Sequence, residues 1–565
     1  MQDQISAQVQ ADLLRAELIA LPLLLLLCLW IFRSPVAALL PVLVGASTVM
    51  GTFLALRIVD AAAMELSAFA LNLVTGLGLG LAVDYSLLLV SRFREEVGRG
   101  RTPVEAVGAA LVTSGRTIVF SALTVSAAML ALVVFPQRFL QSMGVAGAIV
   151  PLVAAAASLT LLAGLLALLG SRVDALVPRR LVRREPSDAT LHRTGWYRLA
   201  QRVLRRPGRV AAATGLLLVV VGLPFLGVRF TGVDASVLPA DRSARQVDDA
   251  LRAGFDRDAA SPILVAVTAP RSDAAAVQAY RDELAAVAGE AASVSAPQPL
   301  GDTWRIDVQP ATPALDGATK DLVRDARGLD APFPVAVGGS TAAFLDGQDS
   351  LRDRVPLALA VLVGTTLVLL FLMTGSIVLP VKAVLMNALT ICATFGLLVL
   401  VFQDGRLTGL LDYEPQGALE STQPILLFAI VFALSTDYGT FLLGRIGEAR
   451  AAGAPDREAV AIGLARTGRV VTAAALLMMT AIGAFATSDI VFIKLIGVGA
   501  ALAVLIDATI VRALLVPALM GLLGQANWYA PGWLRAVHRR VGLHETPTAE
   551  PVAPRHHVAS PATGD

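Results

Sequence analysis

Charge is the scarcest property of this chain. Of its 565 residues, 16% are charged and 56% hydrophobic, with a mean hydropathy of +0.69. A soluble protein of this size needs far more charge to cover its surface, so that class is excluded. Cysteine is almost missing. Cys28 and Cys392 both fall inside apolar runs, which excludes a disulfide framework and a cysteine metal site. The five histidines sit in a polar loop and the C-terminal region, without metal-ligand spacing, so neither a metal nor a cofactor is expected. The three lysines, Lys320, Lys382 and Lys494, all lack the Gly-x4-Gly-Lys-Ser/Thr setting of a phosphate loop, which disfavours a nucleotide-driven pump. The first apolar run lacks a small-residue cleavage site and reads as a span rather than a removable signal.

What the chain does have is long apolar runs. About 18 apolar residues suffice to cross a bilayer core as a helix, and eleven spans are expected: 17–32, 35–56, 67–91, 113–135, 139–170, 210–228, 355–374, 377–402, 422–444, 468–488 and 492–522. Arginines cluster at Arg92 to Arg101, Arg172 to Arg209, Arg445 to Arg450 and Arg535 to Arg540, at the same end of alternate spans. The positive-inside rule places those ends in the cytoplasm. Because the clusters lie between spans and lack interleaved aromatics, nucleic acid is not an expected partner.

With that orientation, Arg229 to Arg354 lies outside. It alternates strand-like runs (Pro262 to Val267, Thr303 to Val308, Phe333 to Val337) with helix-like ones (Asp241 to Ala253, Asp273 to Val287, Thr319 to Arg327), a pattern expected of a compact α/β domain. The expected organisation is a first membrane half of five spans (1–171), a cytoplasmic linker (172–209) and a span opening the second half (210–228). An extracytoplasmic domain (229–354), five more spans (355–522) and a cytoplasmic tail (523–565) follow. The tail from Thr546, rich in Pro, Ala and Thr, is expected to be disordered.

The two halves repeat one another. Ala82-Val-Asp84-Tyr85 returns as Ser435-Thr-Asp437-Tyr438, an offset of 437 − 84 = 353, and Arg92/Arg445, Gly115/Gly468, Phe139/Phe492 and Gly144/Gly497 keep that offset without a gap. Chance does not hold register across three spans, and duplicated halves are a transporter architecture. By symmetry, a first span and a first outside domain are expected ahead of residues 1–15.

Asp84 and Asp437 carry the chemistry. A carboxylate in the bilayer core costs at least about 2.5 kcal/mol, so such residues are as a rule interior-facing and functional. If the repeats pack face to face, the two acids meet, and Tyr85 and Tyr438 are placed to hydrogen-bond the opposite carboxylate. Two buried acids titrate as a unit, as a proton carrier requires; the bland alternative is a structural hydrogen-bonded pair. Asp507 and Arg512, five residues apart in the last span, either pair, join the relay or mark the inner end of the helix. Arg92 reads as an inner-interface anchor or as part of a proton exit. Gly76, Gly78 and Gly80 lack the strand–turn–helix context of a dinucleotide site and read as close helix packing. Thr102-Pro103-Val104-Glu105 is a capping box opening a helix.

Gly78 through Tyr85 and on to Glu95, Thr113 to Thr117, Leu434 to Tyr438 and on to Arg445, and Ile496 to Arg512 together resemble the MmpL family of the RND transporter superfamily. The similarity covers about residues 10 to 535. The resemblance implies an RND-type membrane fold with an extracytoplasmic α/β porter domain, and proton-driven export of lipids or other hydrophobic molecules across the bacterial cytoplasmic membrane. It implies that Asp84, Tyr85, Asp437 and Tyr438 form the proton relay, supported by Asp507, Arg512 and Arg92, and that Ser121 lines the central channel. Family members carry twelve spans and two porter domains. A shortened member is therefore expected to need an accessory protein or second chain, or to transport poorly alone. A non-transporting scaffold or lipid sensor on the same fold is the alternative.

Overall fold

The computed structural model describes residues 2–62, 66–67, 69–175, 191–254 and 261–541, apart from the side chains of Gln2, Asp3, Ala62, Ser236, Arg252, Tyr438, Thr440 and Val541. The tail from Thr546 lies outside these residues.

Among the described residues, eleven helices are long and apolar enough to span a bilayer. Five form the first half: α1 (Gln4–Phe32), α2 (Pro35–Ala61), α3 (Phe69–Gly98), α4 (Pro103–Val134) and α5 (Arg138–Asp174). A short amphipathic helix, α6 (Gly195–Arg205), leads into the span α7 (Pro207–Gly227). After the outside segment come α11 (Ser340–Thr374), α12 (Val378–Gln403), α13 (Gln423–Ala451), α14 (Asp456–Thr487) and α15 (Val491–Trp528). Only helices satisfy every backbone group within one segment, so a chain of such apolar runs in lipid has no other choice. Prolines at 22, 41, 151 and 356 sit inside these helices, as membrane spans tolerate.

The capping box is present: Glu105 N–H donates to the Thr102 hydroxyl while Thr102 N–H donates to the Glu105 carboxylate, and Pro103 opens α4. Two of the three glycines, Gly76 and Gly80, pack closely, whereas a Cβ on Gly78 would make ordinary contacts. A Cβ on Gly76 would lie 2.4 Å from Phe485, and one on Gly80 2.5 Å from Met478, so α3 touches α14 of the other half at this i, i+4 pair. In return α13 packs on α4. Each half thus lays the helix of one Asp-Tyr motif against the other half.

The outside segment holds α8 (Ser243–Gly254) followed by a β-α-β-β-β-α-β unit. Its elements are β2 (Ile263–Thr268), α9 (Ala274–Ala288), β3 (Ala292–Val294), β4 (Gln298–Leu300), β5 (Thr303–Pro310), α10 (Gly317–Gly328) and β6 (Val335–Gly338). The antiparallel sheet runs β3-β5-β2-β6, with β4 continuing β3 along β5. Strict alternation in β2 and β5 turns Ile263, Val265, Val267, Trp304, Ile306 and Val308 inward. Those residues meet Val277, Tyr280 and Leu284 of α9 and Leu322 and Val323 of α10 in a separate core. A two-residue strand β1 (Phe230–Thr231) pairs with β7 (Leu419–Glu420) just before α13, stitching the entry of this segment to the outer end of that helix. The RND-type class expected from the sequence, duplicated helical halves with an α/β domain, is the architecture of the molecule.

Candidate functional site

Asp84 and Tyr85 on α3, Ser121 on α4 and Asp437 on α13 are all buried where the halves meet. The Tyr85 phenol and the Ser121 hydroxyl are 2.9 Å apart, and either atom can be the donor. The Ser121 hydroxyl also hydrogen-bonds the Asp437 carboxylate. Asp84 and Asp437 both lie close enough to the Tyr85 phenol to act on it electrostatically. The phenol was expected to bond the opposite carboxylate directly; in the structure the Ser121 hydroxyl of α4 stands between Tyr85 and Asp437. The Tyr438 side chain lies outside the described ones.

Asp507 and Arg512 are joined to this cluster. Arg512 Nε donates to the Asp507 carboxylate at 2.6 Å, and its Nη2 lies 2.5 Å from the same oxygen. Residues five apart diverge on an α-helix, but the segment Asp507–Leu515 of α15 is a π-helix. Its i→i+5 ladder stacks such residues on one face. Pro517, just beyond it, has no N–H with which to restore the α-helical ladder. Ser435 donates to Asp507 at 2.8 Å, its carbonyl accepts from Arg512 at 2.9 Å, and Arg512 also acts electrostatically on Asp437. Asn387 on α12 closes the group: its Oδ1 lies 2.7 Å from the Ser435 hydroxyl, sharing that single proton with Asp507, and its Nδ2 donates to Thr436 at 2.8 Å. Sequence reasoning missed Asn387, and it quoted Thr436 in the repeat motif without assigning it a role. Ser435 was inside the quoted motif, and its departure from Ala82 was the available signal.

Arg92 belongs elsewhere. Eight residues along α3, about 12 Å at the helical rise, it pairs with Glu95 at 2.9 Å and Glu96 at 3.1 Å. Glu95 also meets Arg445 of α13 at 3.4 Å, so this network ties the arginine-rich ends of the two repeat-related helices. Among the described residues no group of histidine, cysteine and acid side chains could hold a metal.

A family model described as the MMPL family matches residues 1–210 and 236–548. Membrane protein SCO6666 of Streptomyces coelicolor is 42% identical over 98% of this chain and 76% of its own length. The trehalose monomycolate exporter MmpL3 of Mycolicibacterium smegmatis is 36% identical over 96% of this chain. The chain spans only 57% of that exporter's length. In fold, the chain is similar to the crystal structure of SecDF, a translocon-associated membrane protein from Thermus thermophilus, with a TM-score of 0.56 at 19% identity, covering 90% of this chain and 62% of that one.

Proposed function

This chain belongs to the MMPL family, a multi-pass bacterial membrane protein, and from that premise we propose that it couples inward proton movement to the export of a lipid or other hydrophobic molecule. The observation that carries the reading is the buried string Tyr85–Ser121–Asp437, which crosses from one half to the other beside Asp84 and the Asp507–Arg512 pair. An ionised Asp437 can only accept, so Ser121 donates to it and accepts from Tyr85. A protonated Asp437 can donate, which reverses the Ser121 hydroxyl and frees the phenol to turn. Protonation of one half is thereby linked to side-chain orientation in the other. Arg512, held by Asp507, sets a positive charge close enough to act on Asp437. One charge moving across 100 mV is worth about 2.3 kcal/mol, enough to bias two packings of the halves. A lipid cargo is supported by the exporter named among the relatives.

The test is direct. The chain is reconstituted into vesicles holding a pH-sensitive dye and a dithionite-quenchable fluorescent lipid, and an acid-outside gradient is imposed. Gradient-dependent proton entry with lipid movement is expected, and Asp437→Asn should abolish both at normal insertion. Proton and lipid movement at the wild-type rate in Asp437→Asn would rule the relay out.

A further inference from the structure

The polar cluster exists in one half only. At the repeat offset, Ser435 stands where the first half has Ala82 (435 − 353), Asp507 where it has Ala154 (507 − 353) and Arg512 where it has Leu159 (512 − 353). The helices α2 and α12 follow matching left-handed breaks at Arg33 and Gly375, offset by 342. They also share a serine, Ser34 or Ser376, that binds backbone carbonyls at the end of a later span. Asn387 therefore corresponds to Gly45 (387 − 342).

Packing follows this difference. In the first half a Cβ on Gly45 would lie 2.8 Å from Leu79, so α2 presses onto α3, and the buried Ser86 hydroxyl turns back to its own helix at Ala82 O, 2.6 Å away. In the second half Asn387 holds α12 off α13 through Ser435 and Thr436. Gly439, the counterpart of Ser86 (439 − 353), would offer a Cβ nothing within 4 Å. A cavity results, with Asp507, Arg512, Asn387, Gly439 and Lys382 among its walls. About 30 Å³ of it is open to the centres of water molecules, where one water needs about 10–15 Å³. Lys382 lies five residues before Asn387, about 7.5 Å nearer the start of α12. That end touches Asn527, Tyr529 and His538 beside the arginines of α16 (Gly532–Val541). Buried Lys382 donates to Asn527 Oδ1 at 3.0 Å and to Met520 Sδ at 2.7 Å, so a polar side chain lines the cavity at its arginine-rich end.

We propose that protons leave the relay toward the arginine-rich side through this second-half cavity alone, on water held between Arg512, Asn387 and Lys382. The inference rests on the relay reading above, and the experiment separates the two. In a Cys28→Ala, Cys392→Ser background, Gly439→Cys and Ser86→Cys are made, and inverted vesicles are treated with a small, membrane-impermeant, cationic thiol reagent. Modification of the Gly439→Cys protein at least tenfold faster than of the Ser86→Cys protein is expected. In reconstituted Gly439→Cys protein, the same modification should lower proton entry at least tenfold, and reductant should restore it, which shows that the protein is folded and only plugged. Equal modification of the two thiols, or unchanged flux after complete modification, overturns the exit route. If Asp437→Asn stops the flux while the modified protein conducts, the relay stands and the exit route is wrong. If Asp437→Asn leaves the flux intact, the relay fails first and this route falls with it.

Discussion

The Tyr85 phenol and the Ser121 hydroxyl lie 2.9 Å apart on neighbouring helices, fully buried, with Asp437 of the opposite half as the next partner of Ser121. Leaving a buried polar group unsatisfied costs about 1–3 kcal/mol. Ser121→Ala removes the hydroxyl that joins phenol to carboxylate, so proton entry should fall about tenfold or more without loss of inserted protein. Ser121→Thr keeps the hydroxyl and should recover most of it. A wild-type rate in Ser121→Ala would show that the string carries no protons.

The spans, the repeat and the two acids were legible because each rests on a local signal: apolar length, a constant offset, and charge where lipid forbids it. Ser121 was reached only through family resemblance, since a serine in an apolar run carries no period or charge of its own. The meeting of Asp507 and Arg512 could be offered only as one of three alternatives. The π-helical turn that aligns them depends on hydrogen bonding that no sequence period displays. The strands Ala292–Val294 and Gln298–Leu300 escaped notice because each is three residues long, with Pro297 between. Asn387 escaped because one amide among apolar residues is visible only against its counterpart Gly45.

The Asp507–Arg512 pair predicts a particular pattern of stability. Both residues are almost fully buried, and breaking such a pair from one side costs about 3–5 kcal/mol because the other charge is left uncompensated. Arg512→Met should therefore lower the thermal midpoint of the detergent-solubilised protein strongly. The double variant Asp507→Asn/Arg512→Met, with no charge left to bury, should regain most of the loss while remaining inactive in proton entry. A double variant no more stable than Arg512→Met would show that the pair is held by something other than mutual neutralisation.

The outer end of α1 makes a second contact between the halves that has no relay chemistry. The buried Asp12 carboxylate accepts from the Ser488 hydroxyl, from Asp489 N–H at 2.9 Å and from Ile490 N–H at 3.3 Å, while Gln8 donates to its other oxygen at 2.8 Å. It thereby fastens α1 to the turn that leads into α15, and hydrogen bonds to a charged group of this kind contribute about 1.5–3 kcal/mol. One turn away, Arg15 pairs with Asp489 at 2.9 Å, but both side chains are about half exposed to solvent. Exposed pairs of this kind contribute about 0–1 kcal/mol. Asp12→Ala should thus destabilise the protein measurably in thermal unfolding, and Arg15→Ala should not. Equal effects would mean that the exposed pair fastens α1 as firmly as the buried Asp12 bonds do.

The repeat-related breaks between α1 and α2 and between α11 and α12 use the same left-handed backbone with different residues: Arg33 at φ 57° and Gly375 at φ 67°. An L-residue in that region costs about 1–2 kcal/mol, and glycine costs nothing there. Gly375→Ala should pay that strain, and its Cβ would also lie 3.0 Å from the His538 ring, which then has to shift. A loss of about 1–2 kcal/mol is expected, read as a lower thermal midpoint. Arg33→Gly works in the opposite sense, since it relieves the strain at the first break while adding glycine's freedom to the unfolded chain. Those two effects are of similar size, so Arg33→Gly should leave stability within about 0.5 kcal/mol of the wild type. The two substitutions should therefore differ in effect although they fall at equivalent positions of the repeat. A Gly375→Ala protein as stable as the wild type would show that this turn relaxes out of the left-handed region once the glycine is gone.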